Sequence, residues 1–512
     1  MIELNGEGLT IEGLMAVACQ GEQAERLGPA AQQRMQASHE WVNRSIQEGG
    51  QVIYGVNTGF GSLANVQIAP EQARQLSRNL VLLCVCGVGE ALPAEVVRGM
   101  MAIRANMLAR GNSGVRPQVA QALIDMLNAG VTPLVPAKGS LGASGDLAPL
   151  ASISAVLTRG EHADDTYSGK AWYQGELLEG AEAMRRAGIE RPVLLAKEGL
   201  ALSNGMDFML AAGALALQRA ERAWRHAVLA AALSLEGLCG LSAAFDPAVH
   251  AASGQPVQQQ VATEIRRLTA GSRLVDSMPG RVQDAYSLRC TPQVLGPIGD
   301  ALGYVRGRLS ASLNAVTDNP LIFPTDDGDY RAISGGNFHG EGPALWLDFL
   351  GMAIAEAANL AERRIFRMLT PELSNGLPAM LVNASGLDGG LMMVQYTAAA
   401  LVSDNKTLAH PDSVDSIPSC ANQEDHVSMG ANAARHTLEI VDNVTRVIAI
   451  ELLTAAQAVD LRPDGPRRLG QGTAVVYRAV RERAAFLEHD RPTTPDILAL
   501  EELIRSGLLT SG

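Results

Sequence analysis

The chain has 512 residues, enough for two or three domains and a substantial core. Aromatic residues make up only 4% while alanine and aliphatic residues abound, which argues against aromatic-rich β-sandwiches and suits closely packed helices. A net charge of −13 with both signs interspersed leaves no basic stripe for nucleic acid.

The six cysteines, at positions 19, 84, 86, 239, 290 and 420, have neither the density of a secreted disulfide scaffold nor paired C-x-x-C spacing. The N-terminus carries no basic segment followed by an apolar one, and there is no uninterrupted apolar run of membrane length. These features predict a cytoplasmic protein with no membrane partner.

Residues 1 to about 50 read as short helices, one starting at Gly28-Pro29. Tyr54-Gly55-Val56-Asn57-Thr58-Gly59-Phe60-Gly61 follows, and its three glycines among small polar residues predict a loop. Helices are expected over 76–85, 96–110 and 117–128. Pro133 and Pro136 then lead into Gly139-Ser140-Leu141-Gly142-Ala143-Ser144-Gly145-Asp146, a glycine-rich turn before a helix, with Ser144 or Asp146 as its cap. The order Lys138-Gly139-Ser140 excludes a phosphate loop, which needs a glycine five residues before Gly-Lys-Ser/Thr. The middle of this turn also has the residue types a backbone needs to cyclise. Gly145 offers an unhindered amide nitrogen, Ala143 an unhindered carbonyl, and Ser144 a hydroxyl that can leave as water.

A small hairpin or covering loop is expected at Trp172-Tyr173-Gln174-Gly175, with a domain of residues 1–200 ending nearby. Residues 205–238 are apolar on nearly every face, as in a helix buried all round, and 294–316, 341–369, 388–406 and 430–459 repeat the theme. Leu345, Phe349 and Met352 form one stripe; Ile440, Val444, Val447 and Ile448 form another. Helices this long predict a mainly α bundle over 201–512, with peripheral helices beyond Asp460, rather than a wound α/β sheet. Asn319-Pro320-Leu321-Ile322-Phe323, an acidic turn and Tyr330 to Ile333 predict a second hairpin. There is no internal repeat, no low-complexity tract and no His-Glu-x-x-His. His339, His410 and His426 are read as hydrogen-bonded structural residues, with no metal expected.

Taken together, residues 139–150, the 54–61 loop and Gln283-Asp284-Ala285-Tyr286-Ser287-Leu288-Arg289-Cys290 resemble the aromatic amino-acid ammonia-lyases, most closely their histidine branch, over roughly residues 50–460. The resemblance implies the long-helix bundle of the ammonia-lyase/fumarase-like type with a smaller N-terminal active-site domain. Ser277-Met278-Pro279-Gly280-Arg281 similarly resembles a loop of the fumarase and argininosuccinate-lyase enzymes, which use no prosthetic ring.

The same resemblance implies that Ala143, Ser144 and Gly145 mature autocatalytically into 4-methylideneimidazol-5-one, with no external cofactor. It further implies that Tyr54 is a mobile base and that Asn204 and Tyr286 sit near the ring. Gln283 would line the site, Arg289 and Asn319 would hold the substrate carboxylate, and Phe338 would pack on the ring. A phenol titrates near ~10, so Tyr54 needs a positive environment such as helix N-termini to act near neutrality. The family also implies a homotetramer whose active sites are shared between subunits, acting on a small aromatic amino acid.

Which aromatic amino acid it takes is signalled in two opposite ways. Gln423-Glu424 is like the histidine branch, whereas phenylalanine and tyrosine enzymes usually have Asn-Gln. Leu83-Cys84 stands where histidine enzymes have Ser-His, many tyrosine enzymes His-Leu and phenylalanine enzymes Phe-Leu. An apolar, adaptable pocket with Glu424 as its polar anchor would favour a ring bearing a hydroxyl or indole N–H over histidine. Two other functions remain open at this level: a 2,3-aminomutase using the same ring, and an inactive helical scaffold.

Overall fold

The computed structural model describes residues 1–48, 52–162, 164–383 and 386–510. Helices dominate, and the strands form small antiparallel sheets. Val88–Ala91 pairs with Pro136–Lys138. Lys170–Tyr173 lies between Thr132–Pro133 and Glu176–Glu179, and Leu321–Pro324 pairs with Tyr330–Ile333. Both predicted hairpins are therefore present.

The long helices run Asp207–Gly237, Thr291–Ser312, Glu341–Leu369, Met392–Leu408 and Gly430–Asp460. Glycines let them approach closely. A β-carbon on Gly213 would lie 2.9 Å from Leu347 Cδ2, one on Gly237 3.1 Å from Ala458 Cβ, and one on Gly351 3.0 Å from Ile440 Cδ1. Ile440, Val444, Val447 and Ile448 are fully buried, each contributing roughly 1.5–3 kcal/mol against an exposed reference. Arg364 and Glu451 form an ion pair with no solvent exposure, at 2.5 and 2.8 Å, and Ser234 Oγ donates to the same carboxylate at 2.7 Å.

The break expected near residue 200 is not a single cut. One compact unit comprises 1–215, 306–348 and 411–435; the other comprises 216–305, 349–410 and 436–512. The physical reason is the length of the helices, since Asp207–Gly237, Glu341–Leu369 and Gly430–Asp460 each run through a boundary between units.

Helix Glu341–Leu369 is long and apolar enough to cross a membrane by length and composition, although Asp348 and Glu356 interrupt its apolar run. More than half of its apolar window is buried within the fold, as in a core helix. Helix Asp207–Gly237 matches the reading of 205–238 as a helix buried on nearly every face. That helix is buried apart from a partly exposed strip at 218–225, which includes Arg219, Glu221, Arg222 and Arg225. The uncovered apolar side chains lie on other helices: Leu345, Phe349, Met352 and Phe366 on one, and Met392, Met393 and Tyr396 on another.

Candidate active site

Residues 139–146 form the turn their glycines require. Ser144 and Gly145 are left-handed, with φ of +54° and +74°, and Gly142 faces Gly145 as an isolated antiparallel bridge. A β-carbon on Gly145 would lie 2.0 Å from the Gly205 carbonyl oxygen, so no larger residue fits. That carbonyl accepts the Asp146 N–H at 2.7 Å.

Four helices begin around this turn: Leu147–Leu157, Asp207–Gly237, Glu341–Leu369 and Gly430–Asp460. Their first turns are tied together. Asp146 accepts from the N–H groups of Phe208 and Met209 at 2.9 and 3.1 Å, and Met429 N–H donates to the Leu141 carbonyl at 2.9 Å. A β-carbon on Gly430 would lie 3.1 Å from the Gly340 carbonyl. Each helix N-terminus carries roughly half a positive charge, so partial positive charge gathers at the turn. Of the two cap candidates, Ser144 and Asp146, it is Asp146 that stands at the N-cap position of the helix that follows. Its carboxylate makes no capping bond there, because it is committed to the start of Asp207–Gly237. Burial pushes the Asp146 carboxyl up to about 7 despite these two N–H donors.

Ala143, Ser144 and Asn204 line two cavities. The first, of 310 Å³, is walled by Phe60, Leu80, Leu83, Cys84, Leu147 and Leu200, with Gly145 and Tyr54 also on its lining. Glu424 is the only charged side chain among the described residues lining it. The second, of 450 Å³, shares Tyr54 and Glu424 and adds Asn319, Phe338, His339, Gln423, Asp425 and His426. Leu83 is 72% exposed and Cys84 8%. Burial holds the Cys84 thiol at about 12, so it stays neutral.

The Tyr54 hydroxyl accepts the Gly61 N–H at 3.0 Å, and its ring meets Phe60 edge-on. Burial, with the charge of Glu424 adding, raises its pKa above the usual phenol range while the Gly61 bond pulls the other way. The positive environment that the sequence reading asks for is not what sets this shift, because burial disfavours the phenolate and Glu424 adds to it.

The turn is suited to a prosthetic ring. Nothing larger than glycine fits at 145, and the buried Asn204 Oδ1 has no hydrogen-bond partner, nor does Glu424 Oε2.

Gln283, Tyr286 and Arg289 line neither cavity and belong to the second unit. Gln283 and Tyr286 are exposed. The Arg289 guanidinium lies 4.6 Å from the Tyr286 ring centre, and its Nε is buried without a partner. Arg364 donates to the Ser287 carbonyl at 3.2 Å, which anchors this short helix.

The sequence model of the aromatic amino acid lyases matches residues 9–482. The chain belongs to that family. Its lyase chemistry is breakage of a carbon–nitrogen bond in an aromatic amino acid, with loss of ammonia. Histidine ammonia-lyase of Symbiobacterium thermophilum is 50% identical over 508 residues, covering 99% of this chain and 97% of that one. The crystal structure of histidine ammonia-lyase from Trypanosoma cruzi superposes with a TM-score of 0.89 at 39% identity, over 99% and 94% of the two chains. Tyrosine aminomutase from Streptomyces globisporus superposes with a TM-score of 0.90 at a lower 34% identity, over 99% and 97%. The aminomutase alternative is accordingly not favoured, and the scaffold alternative gives way to an enzyme.

The candidate site holds residues that sequence reasoning passed over. Cys420 Sγ accepts the Ser62 N–H at 3.3 Å, linking the loop of Tyr54 to the loop of Glu424. His339 and His426 stack at 5.4 Å, and with Glu341 their ligand atoms lie within 4.8 Å of one another. The His339 Nδ1 accepts the Glu341 N–H at 3.3 Å, which places the His339 proton on Nε2, facing the His426 carbonyl at 3.3 Å. Arg104, Lys197, Asp207 and Asp318 are buried beside the site asparagines. Lone charges in a sequence read as solvated, so only their spacing around 204 and 319 could have signalled them.

Proposed function

We propose that this lyase removes ammonia from an aromatic L-amino acid carrying a donor on its ring, at a ring formed from Ala143-Ser144-Gly145. The reading also places the enzyme in the cytoplasm as a homotetramer. The observation that carries it is the Ala-Ser-Gly turn standing between an apolar cavity and a polar one. Bond formation from Gly145 N to the Ala143 carbonyl carbon expels one water, and dehydration of Ser144 expels a second. The resulting 4-methylideneimidazol-5-one supplies an electrophile that makes the substrate amine a better leaving group.

The chain's own residues do the rest. Tyr54 takes the β-proton, and Asn204 offers its unpaired Oδ1 at the turn. Asn319 and Arg289 hold the carboxylate, with Gln283, Tyr286 and Gln423 completing the polar end and Phe338 packing on the ring. Arg289, Tyr286 and Gln283 would come from neighbouring copies, which accounts for the exposure of Gln283 and Tyr286 here. A cation supplied by such a copy is also what Tyr54 needs to ionise near neutrality. All six cysteines are free, in keeping with a reducing compartment.

At the ring end, Leu83 and Cys84 offer imidazole no partner, and Glu424 remains as an acceptor for a hydroxyl or indole N–H. Histidine as the substrate is the second reading, favoured by relatives such as the histidine ammonia-lyase of Symbiobacterium thermophilum. A panel of histidine, tyrosine, phenylalanine, tryptophan and dihydroxyphenylalanine, read by absorbance and chromatography, separates the two. Intact mass should show the loss of two waters, and Ser144→Ala should prevent the dehydration. An active enzyme of unmodified mass would overturn the ring, and histidine turnover well above every carbocyclic substrate would overturn the donor-ring preference.

A further inference from the structure

Two ion pairs lie out of reach of solvent beside the turn. Lys197 Nζ meets Asp318 Oδ2 at 2.5 Å with both side chains fully buried, and Arg104 meets Asp207 at 2.5 Å with both almost so. Removing two charges from water is costly, and a well-packed apolar pair would often be as stable. Apolar neighbours for such a pair are already present, since Ala196 and Ile322 belong to a buried hydrophobic cluster. Stability alone therefore gives weak grounds for ions at these positions.

What the pairs do share is a neighbouring asparagine on the cavity wall. Asp318 Oδ1 accepts the Asn319 N–H at 2.6 Å, which fixes the backbone of Asn319. Asn319 Oδ1 accepts the Gly335 N–H at 2.8 Å, which fixes the orientation of the amide and leaves its Nδ2 donors for the cavity. The other pair acts in parallel. Arg104 donates to the carbonyls of Ala201 and Asn204 at 2.6 and 2.8 Å while holding Asp207 at the start of its helix. Thr317 Oγ1 accepts the Met206 N–H at 3.4 Å and so joins the two segments. The two pairs also feel one another: burial lowers the Lys197 pKa, Asp318 opposes this, and Arg104 adds to it.

We propose that Lys197 and Asp318 are positioning residues for the reaction, holding Asn319 so that its amide donors meet the substrate carboxylate, with Arg104 and Asp207 setting Asn204 beside the turn. The assignment rests on the reading of Asn319 as a carboxylate ligand. A carboxylate gains from donors only when they are fixed before it arrives, and a pair with no access to water cannot exchange its partner for solvent. Lys197 touches no substrate atom in this scheme and acts through Asn319.

The test is a double-mutant cycle on the full-length assembled enzyme. The combined change Lys197→Met with Asp318→Asn removes the pair without leaving one charge alone. It is expected to lower kcat/KM about tenfold or more, mainly through KM, with the two-water mass loss retained. The same change in an Asn319→Ala background is expected to add almost nothing. Equal losses in both backgrounds, or no loss in either, would overturn the proposal.

Should the combined variant not fold, Asp318→Asn alone serves, with competitive inhibition by trans-cinnamate set against trans-cinnamamide as the readout. Selective weakening of the carboxylate is expected, and equal weakening of both would overturn the assignment. A wild-type enzyme lacking the mass loss would instead sink the ring-based reading and leave the cycle to be judged on its own result.

Discussion

Cys84 ends the helix Ala73–Cys84 and packs in a cluster with Leu80, Ala151 and Leu200, where burial keeps its thiol neutral. In the proposed reading, a side chain there meets the ring end of a substrate in the first cavity. Cys84→His would place a donor and acceptor in a cavity where Glu424 is the only charged side chain among the described lining residues. Because a site built to hydrogen-bond a group discriminates more strongly than an apolar one, the histidine-to-tyrosine ratio of kcat/KM should rise about tenfold or more. Steady-state kinetics on both amino acids check this, and an unchanged ratio would detach Cys84 from substrate choice.

At the scale of elements, the junction of helices at the turn concentrates positive ends, and Asp146 is the carboxylate placed among them. Its carboxyl is raised to about 7 by burial, above an unfolded value near about 3.9. The folded chain therefore binds a proton that the unfolded chain releases between these values. The contribution is fully present below about pH 4 and is lost as pH rises through about 7, at no more than about 1.4 kcal/mol per pH unit. Asp146→Asn keeps an acceptor for Phe208 and Met209 without the ionisation. Thermal midpoints of this variant should fall less than those of the wild type between about pH 4 and 7. Parallel curves would show that Asp146 does not titrate in that range.

At the scale of the whole molecule, the exposed apolar side chains are the feature a lone chain does not explain. Leu345, Phe349 and Met352 are 51%, 42% and 41% exposed, and Tyr304 lies edge-on to Phe349 at 6.0 Å. Phe349→Glu adds a charge to this stripe at the cost of the edge-on ring contact with Tyr304. In a tetramer built on it, light scattering should show a shift to smaller species with activity lost in proportion, since the carboxylate ligand Arg289 would come from a neighbour. A fully active tetramer of Phe349→Glu would place the interface elsewhere.

Much of this was legible in the sequence. The helices 205–238, 341–369 and 430–459 follow from apolar residues on several faces over lengths no strand reaches, and the Gly-rich loops at 54–61 and 139–146 follow from backbone chemistry. Residue type also marked Ser144 and Gly145, because local conformation is dictated locally. Tertiary structure alone decided what is non-local. It committed Asp146 to a helix some sixty residues away, and it buried Tyr54, with Glu424 beside it, so that the phenol is raised. It also paired Lys197 with Asp318 and Arg104 with Asp207, and it ran long helices through several unit boundaries where the sequence suggested one cut near residue 200. Periodicity and turn chemistry act over a few residues, whereas the energy of a buried charge depends on which distant chain arrives beside it.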